Sequence, residues 1–128
     1  MLKRLFKKRI MEIHEKYEKE KVLIFDDMAN FFGLESLGIW KVRGNGVLLL
    51  TDEELFFGMW KPKKELIIPV KFIMKIINPK SHMHKSVFRP LLKVIFTNET
   101  GNNDSAAWFV QDLNEWNEIL NGLILKNG

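Results

Sequence analysis

Apolar residues near the start of the chain recur every three or four positions. They are Leu2, Phe6, Ile10, Ile13 and Tyr17, a spacing that places them on one face of an α-helix. Most of the cationic residues in this segment lie in its first half, where positive charge opposes the helix dipole. The pattern predicts a basic amphipathic helix over residues 1–20, ahead of a domain over residues 21–128.

From residue 21 onward the pattern changes to short apolar runs separated by turn-forming residues. The runs predicted as strands cover residues 39–42, 47–50, 55–60, 66–70, 72–77, 91–97 and 105–110. Residues 22–25 and 30–33 are interpreted as short strand or turn material. Because no helical segment separates these runs, we expect an antiparallel meander rather than parallel β-α-β units.

The last segment returns to a helical period. Its apolar stripe consists of Leu113, Trp116, Ile119, Leu120 and Leu123. Asp112 precedes the stripe, and Glu115 follows three residues later, which is the spacing of a capping box. We therefore predict one amphipathic C-terminal helix with Asp112 as its N-cap.

Residues 44–60, 66–76 and 108–120 together resemble the pleckstrin-homology (PH) superfold, in particular its GRAM and bacterial PH-like branch. GNGVLLLTDEELFFGMW resembles the G-x-L-x-L-T-x-x-x-L-x-F hairpin of that branch, LIIPVKFIMKI its following strand pair, and WFVQDLNEWNEIL its last strand and capping helix. The matching positions are Gly46, Leu48, Leu50, Thr51, Leu55, Phe57, Ile68, Pro69, Val70, Ile73 and Trp116. The resemblance covers residues 22–125. It implies a mainly β protein, a seven-stranded antiparallel bent barrel closed by the C-terminal helix, to which the N-terminal helix is an addition.

Composition narrows the class of protein. The 128 residues include no Cys, which excludes disulfides and thiolate zinc sites and agrees with a reducing compartment. No apolar run approaches the roughly 18 residues of a membrane span, and the N-terminus lacks the apolar core of a signal peptide. We expect a cytoplasmic protein, peripheral at the inner face of the membrane.

Charge is distributed in bands, and residues 61–93 carry nine Lys or Arg and one Glu, a net charge of +8. In an up-and-down meander successive loops alternate between the two ends. On that count residues 61–64 and 78–90 share a basic end, whereas residues 51–54, the turn near Lys71 and residues 98–104 share an acidic end. The candidate anion- or headgroup-binding residues are Lys61, Lys63, Lys64, Lys80, Lys85 and Arg89. The alternative is that these loops are charged simply because they are solvated.

The resemblance also implies where a PH domain that binds inositol phosphates would hold them. The expected pattern is a Lys followed by K/R-x-R in the first hairpin, and only Lys41-Val42-Arg43 matches it here. We therefore expect nonspecific attraction to anionic surfaces rather than recognition of one headgroup.

The N-terminal helix combines cationic residues with an apolar stripe, as interfacial helices do. Its candidate membrane or partner contacts are Leu2, Lys3, Arg4, Phe6, Lys7, Lys8, Ile10 and Ile13. The other interpretation, which the pattern favours, is that the stripe packs on the barrel or on a second copy of the chain. Nucleic acid is disfavoured as a partner because no exposed aromatic residues for base stacking are evident.

No catalytic or metal-binding motif emerges from the sequence. His82 and His84 offer two imidazoles, but no acidic residue at metal-ligand spacing completes a shell, and we find neither a phosphate-binding loop nor a nucleophile elbow. We predict a non-enzymatic module without cofactor or metal that binds anionic membrane surfaces or phospholipid headgroups. The alternative is a protein-interaction or oligomerisation module that uses the N-terminal helix.

Overall fold

The computed structural model describes residues 2–37, 44–61, 63–82, 85–86 and 89–127. Its elements are α1 (Leu2–Glu15), β1 (Ile24–Leu34), β2 (Gly44–Leu50), β3 (Glu54–Met59), β4 (Glu65–Pro69), β5 (Ile73–Ile77), β6 (Ser81–His82), β7 (Lys85–Ser86), β8 (Leu92–Thr97), β9 (Asn103–Phe109) and α2 (Leu113–Asn127). The predicted strand at residues 39–42, and with it Lys41-Val42-Arg43, lies outside the described residues. Of the helices described, neither is long and apolar enough to cross a bilayer.

Seven strands form one antiparallel sheet in the order β4-β3-β2-β1-β9-β8-β5, and β6 pairs with β7 in a separate short hairpin. The protein is therefore mainly β, with a helix before and a helix after the sheet, as predicted. The short strand material expected around residues 22–33 is instead β1, an 11-residue strand in the middle of the sheet. A register shift between Asp26 and Ala29 and Gly33 at a φ of 115° interrupt its alternation of apolar and polar residues.

The core lies between the two halves of this curved sheet. Phe31, Phe57 and Trp108 meet there with ring centroids 5.1–5.8 Å apart, and α2 adds the buried side chains of Trp116 and Leu120. Each fully buried large apolar side chain contributes about 1.5–3 kcal/mol. The N–H of Glu115 donates to Asp112 Oδ1 at 3.2 Å, so the predicted N-cap of α2 is confirmed.

The N-terminal helix packs on the outer face of β2 and β3. Ile13 has no exposed surface and contacts a cluster formed by Val47, Leu49 and Phe56, to which Ile10 and Tyr17 add partly buried side chains. Of the alternatives for the apolar stripe, packing on the barrel is therefore what the structure shows. Ile13 is excluded as a direct membrane or partner contact in this arrangement.

The connection between β4 and β5 is a single 3-10 turn at Val70–Phe72, and the two strands it joins occupy opposite edges of the sheet. β4 and β5 form no hairpin. The rule that successive loops alternate between the two ends of the sheet therefore fails at this connection. The β3–β4 and β8–β9 loops both lie at the end of β1 that carries Leu34, and the chain enters β8 from β5 at the other end. The prediction that residues 61–64 and 78–90 share one end is wrong, and so is the end-to-end charge polarity built on it.

Candidate functional site

The first turns of α1 meet the end of β3 in a stacked aromatic pair. The rings of Phe6 and Trp60 lie 4.8 Å apart between centroids, with 17° between their planes. Trp60 is only 9% exposed, because the helix covers it. This pair anchors the N-terminal half of α1 directly beside the β3–β4 loop.

A shallow concavity of about 330 Å³ surrounds this stacked pair. Phe6 and Trp60 line it together with Lys8, Arg9, Glu12, Lys61 and Lys63. We call the four cationic residues among these, Lys8, Arg9, Lys61 and Lys63, the basic cluster. Two residue sets that the sequence suggested separately, the α1 cations and the β3–β4 loop lysines, thus meet at one place.

Arg9 plays a different part from the three lysines of the basic cluster. Its side chain is only 11% exposed, and Nη2 donates to Glu65 Oε2 at 3.2 Å. Lys16 Nζ lies 2.5 Å from the same oxygen, and these two cations, Lys16 foremost, hold the pKa of Glu65 below its usual value against a smaller opposing effect of burial. Arg9 and Lys16 therefore tie α1 to β4, whereas Lys8, Lys61 and Lys63 point their charge at solvent.

Two further contacts fix the other flank and the end of α1. The hydroxyl of Tyr17 donates to Glu54 Oε2 at 2.6 Å, and burial together with this bond raises the pKa of the phenol. His14 Nε2 lies 2.7 Å from Asp27 Oδ1 on β1. Because contacts on three sides hold the helix, the position of Lys8 relative to Lys61 is set by the fold.

The remaining predicted anion-binding residues lie elsewhere or outside the cluster. Lys64 is in the same loop, where its carbonyl accepts the N–H of Met59 at 2.8 Å. Lys80, Lys85 and Arg89 belong to the β5–β8 connection, and the Arg89 guanidinium lies 5.9 Å from the centroid of the Phe109 ring. The structure brings Lys61 and Lys63 into the concavity, whereas Lys64, Lys80 and Arg89 are not among the described residues that line it. The side chain of Lys85 lies outside the described part of the structure.

The other α1 residues predicted to contact a membrane or partner do not line the concavity as far as the structure describes them. Leu2, Lys3 and Arg4 are in the first turn of the helix. Lys7 and Ile10 face a different cavity, between α1 and β1. Two residues of the site, Trp60 and Glu65, were not among the candidates predicted from the sequence. Trp60 could have been identified because it is an aromatic residue directly before a lysine-rich loop.

The histidine pair has a structural role where it is described. His82 is buried, and its Nε2 donates to the carbonyl of Gly33 at 3.0 Å, which pins the β6–β7 hairpin to β1. His84 lies outside the described residues. Within the described part of the chain, no three His, Cys, Asp or Glu side chains come close enough to hold a metal ion.

Comparison with known proteins identifies a fold likeness alone. No family model matches the chain, and no curated protein matches it. Among solved structures 16 chains match. One of them belongs to a structure described as "The 8S snRNP Assembly Intermediate", with a TM-score of 0.60 over 86% of this chain and 84% of that chain, at 10% sequence identity. At this identity the likeness concerns the arrangement of strands and helices, since one fold hosts many functions.

Proposed function

We propose that the protein is a non-enzymatic, PH-like binding module that associates with anionic membrane surfaces or phospholipid headgroups through the basic cluster. The observation that carries the proposal is the meeting of Lys8, Lys61 and Lys63 around the Phe6–Trp60 pair; these lysines outnumber the acidic Glu12 among the described residues of the concavity. The sequence motifs support the PH-like classification, and the mainly β fold agrees with it.

The chemistry of the cluster favours nonspecific attraction. Lysine ammonium groups act as point charges without the fixed fork of a guanidinium, and the one arginine of the cluster is engaged with Glu65. Near an anionic membrane each Lys contributes about 1 kcal/mol, and the attraction falls off within a Debye length. Three exposed lysines would therefore give weak, salt-sensitive binding, at the inner membrane face where anionic lipids concentrate.

The packing of α1 removes one route to the membrane. Because Ile13 is fully buried against β2 and β3, the stripe it belongs to is unavailable for insertion into lipid without undocking the helix. The same fact weighs against the alternative of an oligomerisation module that uses this stripe. Binding should accordingly be electrostatic, with little apolar insertion by α1.

Co-sedimentation with vesicles tests the proposal. Full-length protein is incubated with vesicles of phosphatidylcholine alone and with vesicles that also contain phosphatidylserine, at low salt and at about 0.5 M salt, where screening is strong. We expect binding to the serine-containing vesicles at low salt only. Lys8/Lys61/Lys63→Glu should lower the affinity by about 100-fold or more, since about 1 kcal/mol per lysine is lost.

A matched control separates the basic cluster from net charge. Lys71/Lys75/Lys126→Glu changes the net charge by the same amount at exposed residues that do not line the concavity, and it should retain most of the binding. Equal loss in both variants would mean that overall charge, not this cluster, drives association. Binding that ignores salt and charge reversal, or no binding at all, contradicts the proposal.

A further inference from the structure

A trough runs along the first half of β1, on the flank of α1 opposite to the basic cluster. It consists of two cavities of about 720 and 600 Å³ that share Ile24, Phe25 and Glu115. Large apolar side chains are exposed within it: Phe25 is 52%, Leu23 42% and Met28 40% exposed. Apolar surface concentrated in a concave site is typical of a binding surface rather than of ordinary exterior.

The strand that forms the floor of the trough has an incomplete set of neighbours. On the side away from β2, β1 pairs with β9 only from Asn30 to Leu34, and no described strand lies against Ile24–Ala29 there. The Asp26 carboxylate partly fills the gap, accepting the N–H groups of Met28 at 2.9 Å and Gln111 at 2.8 Å. An extended segment pairs through its backbone with strand residues that lack a neighbouring strand, as Ile24–Ala29 do on this side.

Among the described residues that line the trough, acidic groups outnumber basic ones. Four carboxylates line it, Asp26, Asp27, Asp112 and Glu115, against Lys7, Lys19 and His14. Asp26 is used internally and Asp27 faces His14. Asp112 also caps α2 through the N–H of Glu115, and the exposed carboxyl groups of Asp112 and Glu115 line the trough together with the exposed Lys7 and Lys19.

The carboxyl groups of Asp112 and Glu115 lie close enough to interact. A side-chain hydrogen bond with Asp112 raises the pKa of Glu115, and the charges of Asp112 and Glu118 add to the effect. A cation placed beside both carboxyl groups would favour their charged forms. The first turn of α2 is therefore complementary to a Lys or Arg side chain.

We propose that this trough docks an extended, basic segment of a partner protein. An apolar side chain of the segment packs on Phe25 and Met28, and a neighbouring Lys or Arg reaches Asp112 and Glu115. An anionic membrane does not fit, because it would face these carboxylates. The site contains none of the four cations of the basic cluster and does not depend on the proposed membrane association, although Trp60 lines both cavities.

NMR titration of the full-length protein tests the site with a defined probe. The probe is a seven-residue, end-blocked peptide in which Lys alternates with Val, Ile and Val; its control has Glu in place of every Lys. With the Lys peptide we expect saturable amide shift changes confined to the segments Leu23–Met28 and Asp112–Trp116. Glu115→Lys and Phe25→Ser should each weaken binding by about tenfold, the effect of losing one good ion pair or one apolar contact.

Glu99→Lys serves as the matched control, since it makes the same charge change at an exposed residue of the β8–β9 loop and should leave the affinity unchanged. Unperturbed spectra of each free variant confirm that it folds. Shift changes mapped elsewhere, no shift changes at millimolar peptide, or equal binding of the Glu peptide would each overturn the proposal. Concentration-dependent shifts at these residues without peptide would overturn it too, because a second copy would then be the occupant.

Discussion

The side chain of Ile13 packs directly over Gly58, so closely that a Cβ at Gly58 would lie 2.5 Å from Ile13 Cδ1. The absence of a side chain on β3 at this point lets α1 approach the sheet. This contact therefore helps to set the orientation of the N-terminal helix on the sheet. The orientation of the helix in turn sets the distance between Lys8 and the β3–β4 loop.

Gly58→Ala should lower the free energy of unfolding by about 1–2 kcal/mol. The added methyl group overpacks the contact, although the atom it meets is the end of a flexible side chain that can shift. Gly122→Ala is the matched control, since a Cβ at Gly122 meets nothing within 4 Å and should be neutral or stabilising in a helix. Urea denaturation measures both, and equal stability of the two variants would contradict the close packing.

Ile13→Ala should destabilise the protein by about 2–5 kcal/mol, because it opens a cavity at a fully buried position. Met11→Ala, two residues earlier on the same helix and 53% exposed, should change the free energy of unfolding by no more than about 0.5 kcal/mol. Thermal or urea denaturation makes the comparison. If both variants behave alike, α1 is not docked as described.

Both helices could be predicted from sequence because each presents one apolar face to one surface. The 3.6-residue period then survives intact, as it does for Ile10 and Ile13 and again for Trp116 and Leu120. The β2–β3, β3–β4 and β8–β9 hairpins could be predicted for a similar reason, since turn residues such as Thr51 act locally: its Oγ1 accepts the N–H groups of Glu53 and Glu54. The β6–β7 hairpin could not, because it lies inside the predicted loop over residues 78–90.

Long-range relationships could not be predicted in this way. In the sequence, Asp26 interrupts an apolar run and suggests the end of a strand. In the structure it lies within β1, where its carboxylate accepts a hydrogen bond from the N–H of Gln111, 85 residues away. The corner between β4 and β5 looks like any short turn, although it moves the chain to the opposite edge of the sheet. Arg9 and Glu65 are 56 residues apart, so no local period could show that Lys8 would join Lys61 and Lys63 in one cluster.

Tyr17 should resist ionisation in the folded protein. Its pKa is raised above the ordinary value of 10.0, first by burial and then by its hydrogen bond to Glu54. A raised folded-state pKa means that unfolding releases a proton above pH 10, so this contribution to stability is present below that pH and is lost as the pH rises beyond it.

The chain has a single tyrosine, so absorbance at the tyrosinate band reports this group alone. We expect no tyrosinate signal near pH 10 in the folded protein, and the signal should appear together with alkaline unfolding. Tyr17→Phe should cost about 1 kcal/mol at neutral pH and should flatten the loss of stability above pH 10. Ordinary titration of the phenol near pH 10 in folded protein would show that the Tyr17–Glu54 contact does not form in solution.

The Glu65 carboxylate should contribute a stability term with the opposite dependence on pH. Lys16 and Arg9 lower its pKa below the ordinary value of 4.5, so the contribution is present above that value and disappears as the pH falls through the folded-state pKa. Because the side chain is 38% exposed, solvent screens the ion pairs and the expected effect of Glu65→Gln at pH 7 is only about 0.5–1 kcal/mol.

The difference in unfolding free energy between wild type and Glu65→Gln should therefore shrink between pH 5 and pH 3 and should also shrink at high salt. Glu99→Gln, which removes an exposed carboxylate of the β8–β9 loop, should show neither dependence. If the difference in unfolding free energy between wild type and Glu65→Gln stays constant down to pH 3, Glu65 acts through packing rather than through its charge. In that case Arg9 would be free to join the three lysines as a fourth anion-binding cation, and Arg9→Gln would lower vesicle binding as much as Lys8→Gln does.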